Sequence, residues 1–200
     1  MTNCIITGVG GQGTVLLSRL IGASAIACKM NVRGSETIGM AQRGGSVVSH
    51  VRMGAVINSP LIPMGKADVA IAFEPGEAVR VYPLLAENAT MIVLDKAIKP
   101  VTSSLSGGGY TAESMLDFLK RNVKNLIIIN ADELISICGA KAINTALFGA
   151  AVKMGLFSFG LEDAKKSIIE RIPQKFHDMN MKAFEAGTSI ADSAKQDERI

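Results

Sequence analysis

The chain predicts an α/β fold: a doubly wound, mostly parallel sheet with an inserted β-hairpin and a helical C-terminal part. Three observations carry that prediction. A short apolar strand runs into the glycine-rich stretch Gly8-Val9-Gly10-Gly11-Gln12-Gly13 and then into a helical pattern. Runs rich in β-branched residues then alternate with helical segments as far as Asn130. The composition, 48% hydrophobic but only 4% aromatic with 20 Gly and no Trp, supplies the small aliphatic core that lets helices lie close on a parallel sheet.

The elements follow in order. Asn3 to Thr7 reads as the first strand. From Thr14 to Cys28 the spacing is helical, with Leu16, Leu20, Ala23 and Ala27 on one face. Met30 to Gly45 is polar and glycine-rich and reads as loop with at most one helical turn. Ser46 to Met53 alternates as a half-exposed strand does, Met53-Gly54-Ala55 turns, and Val56-Ile57 starts a returning strand that stops at Pro60. These two strands are the expected hairpin. Then come a buried strand at Asp68 to Phe73, a helix at Pro75 to Ala86 and a strand at Thr90 to Leu94. A loop at Pro100 to Tyr110 leads to a helix at Thr111 to Asn122, capped by Thr111 and Ser114, and a strand at Leu126 to Asn130. From Ala131 on, helices are expected at 131–138, 141–155, 160–170 and 174–189, broken at Gly139, Gly160 and Gly187.

Two hundred residues without a linker or repeat fit one domain, residues 1–190, followed by a polar tail at 191–200 that reads as frayed. No stretch offers the roughly 18 uncharged apolar residues that span a bilayer. Met1-Thr2-Asn3 carries no base and the apolar run Cys4-Ile5-Ile6 meets glycines at once, so a signal peptide is not expected and the cytoplasm is the default. Cys4, Cys28 and Cys138 have no C-x-x-C spacing, which excludes a local zinc or iron–sulfur signature and argues for three small buried hydrophobes. The charge is uneven: residues 1–66 hold Arg19, Lys29, Arg33, Arg43, Arg52 and Lys66 against Glu36, within a chain of net +3. That gradient favours phosphates or carboxylates near the N-terminal third, and without clustered bases and aromatics it is no nucleic-acid footprint.

Gly8, Gly10 and Gly13 match G-x-G-x-x-G after a strand and before a helix, where glycines allow close approach and the helix N-terminus attracts phosphate. A tight turn without a ligand fits the same letters. A nicotinamide site needs a strand-end acid about 20 residues on. Glu36 stands at that distance but follows Arg33-Gly34-Ser35 rather than an apolar strand. Three classes stay open on these residues: a subunit of a larger oxidoreductase, a free-standing NAD(P)-binding Rossmann-like oxidoreductase, and a non-catalytic nucleotide-binding module.

Ser35 to Gly45 spends its residues on hydroxyls, an amide, a guanidinium and glycines, which core packing does not explain. Gly44 and Gly45 permit backbone approach, and Arg43 offers a fork for phosphate or carboxylate. Together with the glycine loop, Gly39-Met40-Ala41-Gln42-Arg43-Gly44-Gly45-Ser46-Val47-Val48-Ser49-His50-Val51-Arg52 and Ser59-Pro60-Leu61-Ile62-Pro63 resemble the small, gamma-type subunit of 2-oxoacid:ferredoxin oxidoreductases, most nearly the indolepyruvate-type beta subunit. Ala67 to Glu74, Asn144-Thr145, Asn180 and Ala183 to Gly187 agree, so the resemblance covers residues 3–187.

That resemblance implies oxidative decarboxylation of a 2-oxoacid with coenzyme A, giving an acyl-CoA, carbon dioxide and reduced ferredoxin. Pyruvate, 2-oxoglutarate and indolepyruvate are substrates across the family. It also implies that thiamine diphosphate, its Mg and the 4Fe–4S clusters sit on large partner subunits, so the chain is not expected to be active alone. The residues implied to wall the shared site or contact coenzyme A are Gly8, Gly10, Gly11, Gln12, Gly13, Ser35, Gln42, Arg43, Gly44 and Gly45, with no metal ligand. His50 reads either as a proton carrier facing that site or as an interface histidine. Leu61-Ile62 reads as a docking surface or as core, and Asn144 and Thr145 as core-satisfied or partner-facing.

Overall fold

The computed structural model describes residues 1–36, 45–98 and 110–197. In chain order the strands are β1 (Thr2–Val9), β2 (Asn31–Glu36), β3 (Ser46–Gly54), β4 (Ala67–Ala72), β5 (Leu85–Leu94) and β6 (Asn125–Ile129). The helices are α1 (Thr14–Ala27), α2 (Pro75–Val81), α3 (Ala112–Asn122), α4 (Ala131–Cys138), α5 (Ile143–Lys153), α6 (Leu161–Arg171) and α7 (His177–Asp197). The six strands form one sheet in the order β2-β3-β1-β4-β5-β6. β1, β4, β5 and β6 pair in parallel, and β3 runs antiparallel to β1 and β2.

Strand alternation sorts the core into two layers. Cys4, Ile6, Val69, Ile71, Ile92 and Leu94 face α1 and the C-terminal helices. Ile5, Ala70, Ala72, Met91 and Val93 face α2 and α3. The sheet is thus sandwiched, as the alternating sequence predicts.

Several elements differ from expectation. Asn31–Glu36 is a strand, not a loop, and it makes the inserted hairpin with β3 in the register Ser35 opposite His50. It is an edge strand, paired on one side and largely exposed, so it carries almost none of the apolar alternation by which strands are read. Val56-Ile57 forms no returning strand; that stretch crosses over to β4, held where Arg33 Nε donates to the Ile57 carbonyl at 2.9 Å. Helix α2 stops at Val81 rather than 86 because Pro83 has no N–H to continue it; a 3₁₀ turn at Tyr82–Leu84 leads into β5. At the far end α7 continues to Asp197, past the expected 189.

Among the described residues no single helix is long and apolar enough to cross a membrane. Ala131–Cys138 and Ala140–Lys153 together are apolar enough, but they bend by 100° at their junction. Most of their apolar side chains belong to the core, with Ile143 to Val152 all buried, though Ile137 is exposed.

Candidate functional site

From β1 the chain leaves through α1 towards β2 and β3, while β4, β5 and β6 build out on the other side. The loops after β1 and β4 therefore diverge, and doubly wound sheets open their ligand crevice at such a point, beyond the carboxyl ends of the strands. Because β3 is antiparallel and Ser46 pairs with Val9, the start of β3 comes to this same edge. There Gly10 N donates to the Gly45 carbonyl at 2.9 Å. The two glycine segments singled out in the sequence meet.

The loop after β1 closes on itself. Val9 N donates to Gln12 Oε1 at 2.6 Å, and Gln12 N donates to the Val9 carbonyl at 3.2 Å. Gln12 is thereby turned inward, as the clasp of the loop. Gly11 and Gly13 sit at φ +102° and +85°, where a side chain is strained. A Cβ on Gly8 would meet Gln12 Oε1 at 2.5 Å, and one on Gly13 would meet Asn144 Nδ2 at 2.6 Å. Asn144, buried at the start of α5, donates through Nδ2 to the Gly13 carbonyl at 3.4 Å and braces the loop from behind. Gly13 caps α1 without a side-chain acceptor, and no acid lies in the first turn. The first-turn amides and the helix dipole are thus left to an incoming anion. In front of them Gly10, Gly11, Gly13, Thr14, Val15 and Val47 line a pocket of ≈ 350 Å³. That is near the lower bound, about 300 Å³, for small-molecule sites, so it holds part of a large ligand rather than all of it.

The edge also holds two buried acids that sequence reasoning left without a role. Glu74 follows β4 and caps α2, its Oε1 accepting from Glu77 N at 3.1 Å. Its Oε2 accepts from Ile98 N at 2.9 Å, and Tyr110 Oη donates to Oε1 at 3.2 Å. Burial pushes the Glu74 carboxyl up, partly opposed by these donors. Burial first, and then the Glu74 charge, push the Tyr110 phenol up to about 12. Glu77 takes the Ser46 hydroxyl on one oxygen and Arg80 Nε, at 3.1 Å, on the other. The available signal was an acid before Pro75 at the end of an apolar strand, a place where helices start and sites gather.

The remaining candidates fall elsewhere. Glu36 does end a strand, but β3 separates that strand from β1 by two strand spacings, about 10 Å. Its Oε1 accepts from Ser18 Oγ of α1 at 2.7 Å, so it does not stand over the glycine loop as a ribose-binding acid would. Ser35 pairs with His50 in the next-to-last rung of the β2–β3 ladder, four residues along β3 from Ser46. His50 is half-buried on the α2–α3 side, and its Nδ1 accepts from Ile62 N at 3.2 Å. Burial lowers its pKa. Gln42, Arg43 and Gly44 lie outside the described residues.

Leu61 is exposed while Ile62 is buried, so that dipeptide is split between surface and core. Asn144 and Thr145 are both buried and satisfied within the chain, Thr145 Oγ1 donating to Asn180 Oδ1 at 2.6 Å. Cys4 and Cys138 are buried, whereas Cys28 is partly exposed beside Asp163. The three cysteines lie on separate elements, and among the described residues no three His, Cys, Asp or Glu side chains gather as metal ligands. This donor set does not fit an iron–sulfur cluster. What the described edge does offer is chemistry of holding: amides for an anion, and a buried polar frame behind them.

Comparison with known proteins identifies the family. The family described as pyruvate ferredoxin/flavodoxin oxidoreductase matches residues 3–190. The indolepyruvate oxidoreductase subunit IorB of Archaeoglobus fulgidus is 36% identical over 195 residues, covering 96% of each chain. The protein of the same name from Methanothermobacter thermautotrophicus is 35% identical over 191 residues, covering 94% of this chain and 97% of that one. In fold, the gamma subunit of a keto/oxoacid ferredoxin oxidoreductase from Geobacter sulfurreducens superposes with a TM-score of 0.71 at 22% identity, covering 97% of this chain and all of that one. The 2-oxoglutarate:ferredoxin oxidoreductase of Magnetococcus marinus, with 2-oxoglutarate, coenzyme A and succinyl-CoA bound, superposes at 0.69 and 14% identity, over 96% of this chain but 31% of that one. The chain belongs to the pyruvate ferredoxin/flavodoxin oxidoreductase family, as a small, gamma-type subunit of a 2-oxoacid:ferredoxin oxidoreductase.

Proposed function

We propose that this subunit serves an indolepyruvate-type enzyme, acting on aryl pyruvates in the cytoplasm, and that its glycine-lined edge receives the phosphates of coenzyme A. The observation that carries the second part is the meeting of Gly10 with Gly45 in front of the uncapped start of α1. The excess of bases in residues 1–66 supports it, since coenzyme A carries three phosphates. The names of the near-full-length relatives support indolepyruvate as the 2-oxoacid.

In this reading the large partner subunit carries thiamine diphosphate, Mg and the 4Fe–4S clusters, which decarboxylate the 2-oxoacid and pass its electrons to ferredoxin. The small subunit binds and orients. Backbone amides at Gly11 and the start of α1 hold the anionic end of coenzyme A, and Asn144 fixes the loop that presents them. The thiol end is left to reach the partner's reacting centre.

The test is coexpression with the large subunit, followed by an assay of indolepyruvate-dependent ferredoxin reduction and calorimetric titration of coenzyme A. Gly11→Ala adds a methyl at a positive φ where nothing lies within 4 Å, so it perturbs the loop with little effect on packing. It and Arg43→Ala are each expected to weaken coenzyme A by about ten-fold, the value of one lost charge-assisted contact. Unchanged affinity in both variants would sink the coenzyme A assignment; no indolepyruvate turnover by an assembled complex would sink the substrate.

A further inference from the structure

Glu74 gathers three separate stretches of chain onto one buried carboxylate. The first turn of α2 gives Glu77 N, the exit of β5 gives Ile98 N, and the residue two before α3 gives Tyr110 Oη. Glu74 is 1% exposed, and every one of these contacts is a donor. An ionised carboxylate accepts from all three, whereas a protonated one must turn an O–H towards donors. Burial works against the charge, so the site maintains a costly ion with hydrogen bonds. A capping role alone does not require this, because Asp, Asn, Ser or Thr caps a helix without reaching β5 and Tyr110. The longer Glu arm ties the chain leaving β4, the strand next to β1, to the chain leaving β5 and to Tyr110. Gly76 keeps the gap narrow, since a Cβ there would meet Tyr110 Oη at 2.0 Å.

We infer that Glu74 is a positioning residue: by clasping the ends of β4 and β5 to Tyr110, it sets the far wall of the edge that receives coenzyme A. This rests on the reading of that edge given above. The charged or titratable groups acting on the clasp are Glu77 and Arg80 from α2 and Tyr110 before α3; β5 contributes the Ile98 amide.

The chain has two tyrosines, so ¹³Cζ-tyrosine labelling of this subunit gives two resonances, and Tyr82→Phe assigns them. In the wild-type chain the Tyr110 signal is expected to follow a titration whose midpoint lies above the ordinary glutamate value of about 4.3, and to lose it in Glu74→Gln. In the complex with the large subunit, Glu74→Gln is expected to raise KM for coenzyme A by about five-fold with kcat changed less than about two-fold, as one charge-assisted contact is lost. Glu74→Asp, which keeps the charge but shortens the arm, falls between. If the Tyr110 signal does not sense Glu74, there is no clasp and the inference fails. If it does sense Glu74 but KM for coenzyme A stays unchanged, the clasp positions nothing and the inference also fails. The coenzyme A assignment is judged independently by Gly11→Ala, which leaves Glu74 untouched.

Discussion

His50 shows how one hydrogen bond decides the meaning of a residue. Its ring accepts from Ile62 N on the α2–α3 face, and burial lowers its pKa, so the folded protein prefers the neutral imidazole. A depressed pKa gives stability that is present above the unfolded value of about 6.5 and lost as the pH falls below it. The melting temperature is therefore expected to drop between pH 6.5 and 5, and His50→Gln, which retains an acceptor for Ile62 N, is expected to flatten that slope in thermal melts. Lys29 offers a second test. It ends α1 at φ 61°, with Met30 N donating back to the Ala25 carbonyl at 3.1 Å, the closure that usually takes glycine. Lys29→Gly is expected to raise stability by about 0.5–1 kcal/mol, read from the denaturant midpoint. The sequence showed both residues but not these facts, because each depends on a partner or a dihedral set by chain folding elsewhere.

At the scale of elements, legibility followed the strength of periodic signals. β1, β3, β4 and the helices from 131 onward were readable because one or both faces are apolar in register. β2 was not, since an exposed edge strand needs no apolar face. Helix α1 was found, but its expected face was wrong in part. Leu17, Ile21 and Ala25 are buried while Ala27 is exposed, because α1 packs on the sheet and also on α6, where Ser24 Oγ donates to Ser167 Oγ at 2.9 Å. A helix covered on two sides lacks the single stripe that periodicity detects. Gly187 and Gly149, the first read only as a helix break, instead allow α5 and α7 to touch backbone to backbone. A Cβ on Gly187 would lie 1.8 Å from the Ala146 carbonyl oxygen, and one on Gly149 would lie 2.2 Å from that of Phe184. Gly187→Ala is expected to cost about 2–4 kcal/mol in denaturant unfolding, as rigid helices must separate around it.

Over the whole molecule, the glycine loop was legible because its chemistry is local, whereas Glu74 and the Asn144 brace depend on contacts far along the chain. The uneven charge is also a global property, and it predicts that coenzyme A affinity in the assembled enzyme falls with ionic strength as long-range attraction to the N-terminal third is screened. Isothermal titration at two salt concentrations checks this; affinity independent of salt would leave the basic excess without a part in binding. The brace has a thermodynamic corollary. Asn144 reaches Gly13 across 131 residues, so the loop acquires its back wall only when α5 has docked on the sheet. An anion that favours the ordered loop must favour the docked layer by the same free energy, since the two are linked equilibria. Coenzyme A bound as proposed should then slow amide exchange in α5 and α7, well behind the glycine loop, and the helical third of the chain becomes a reporter of what that loop holds.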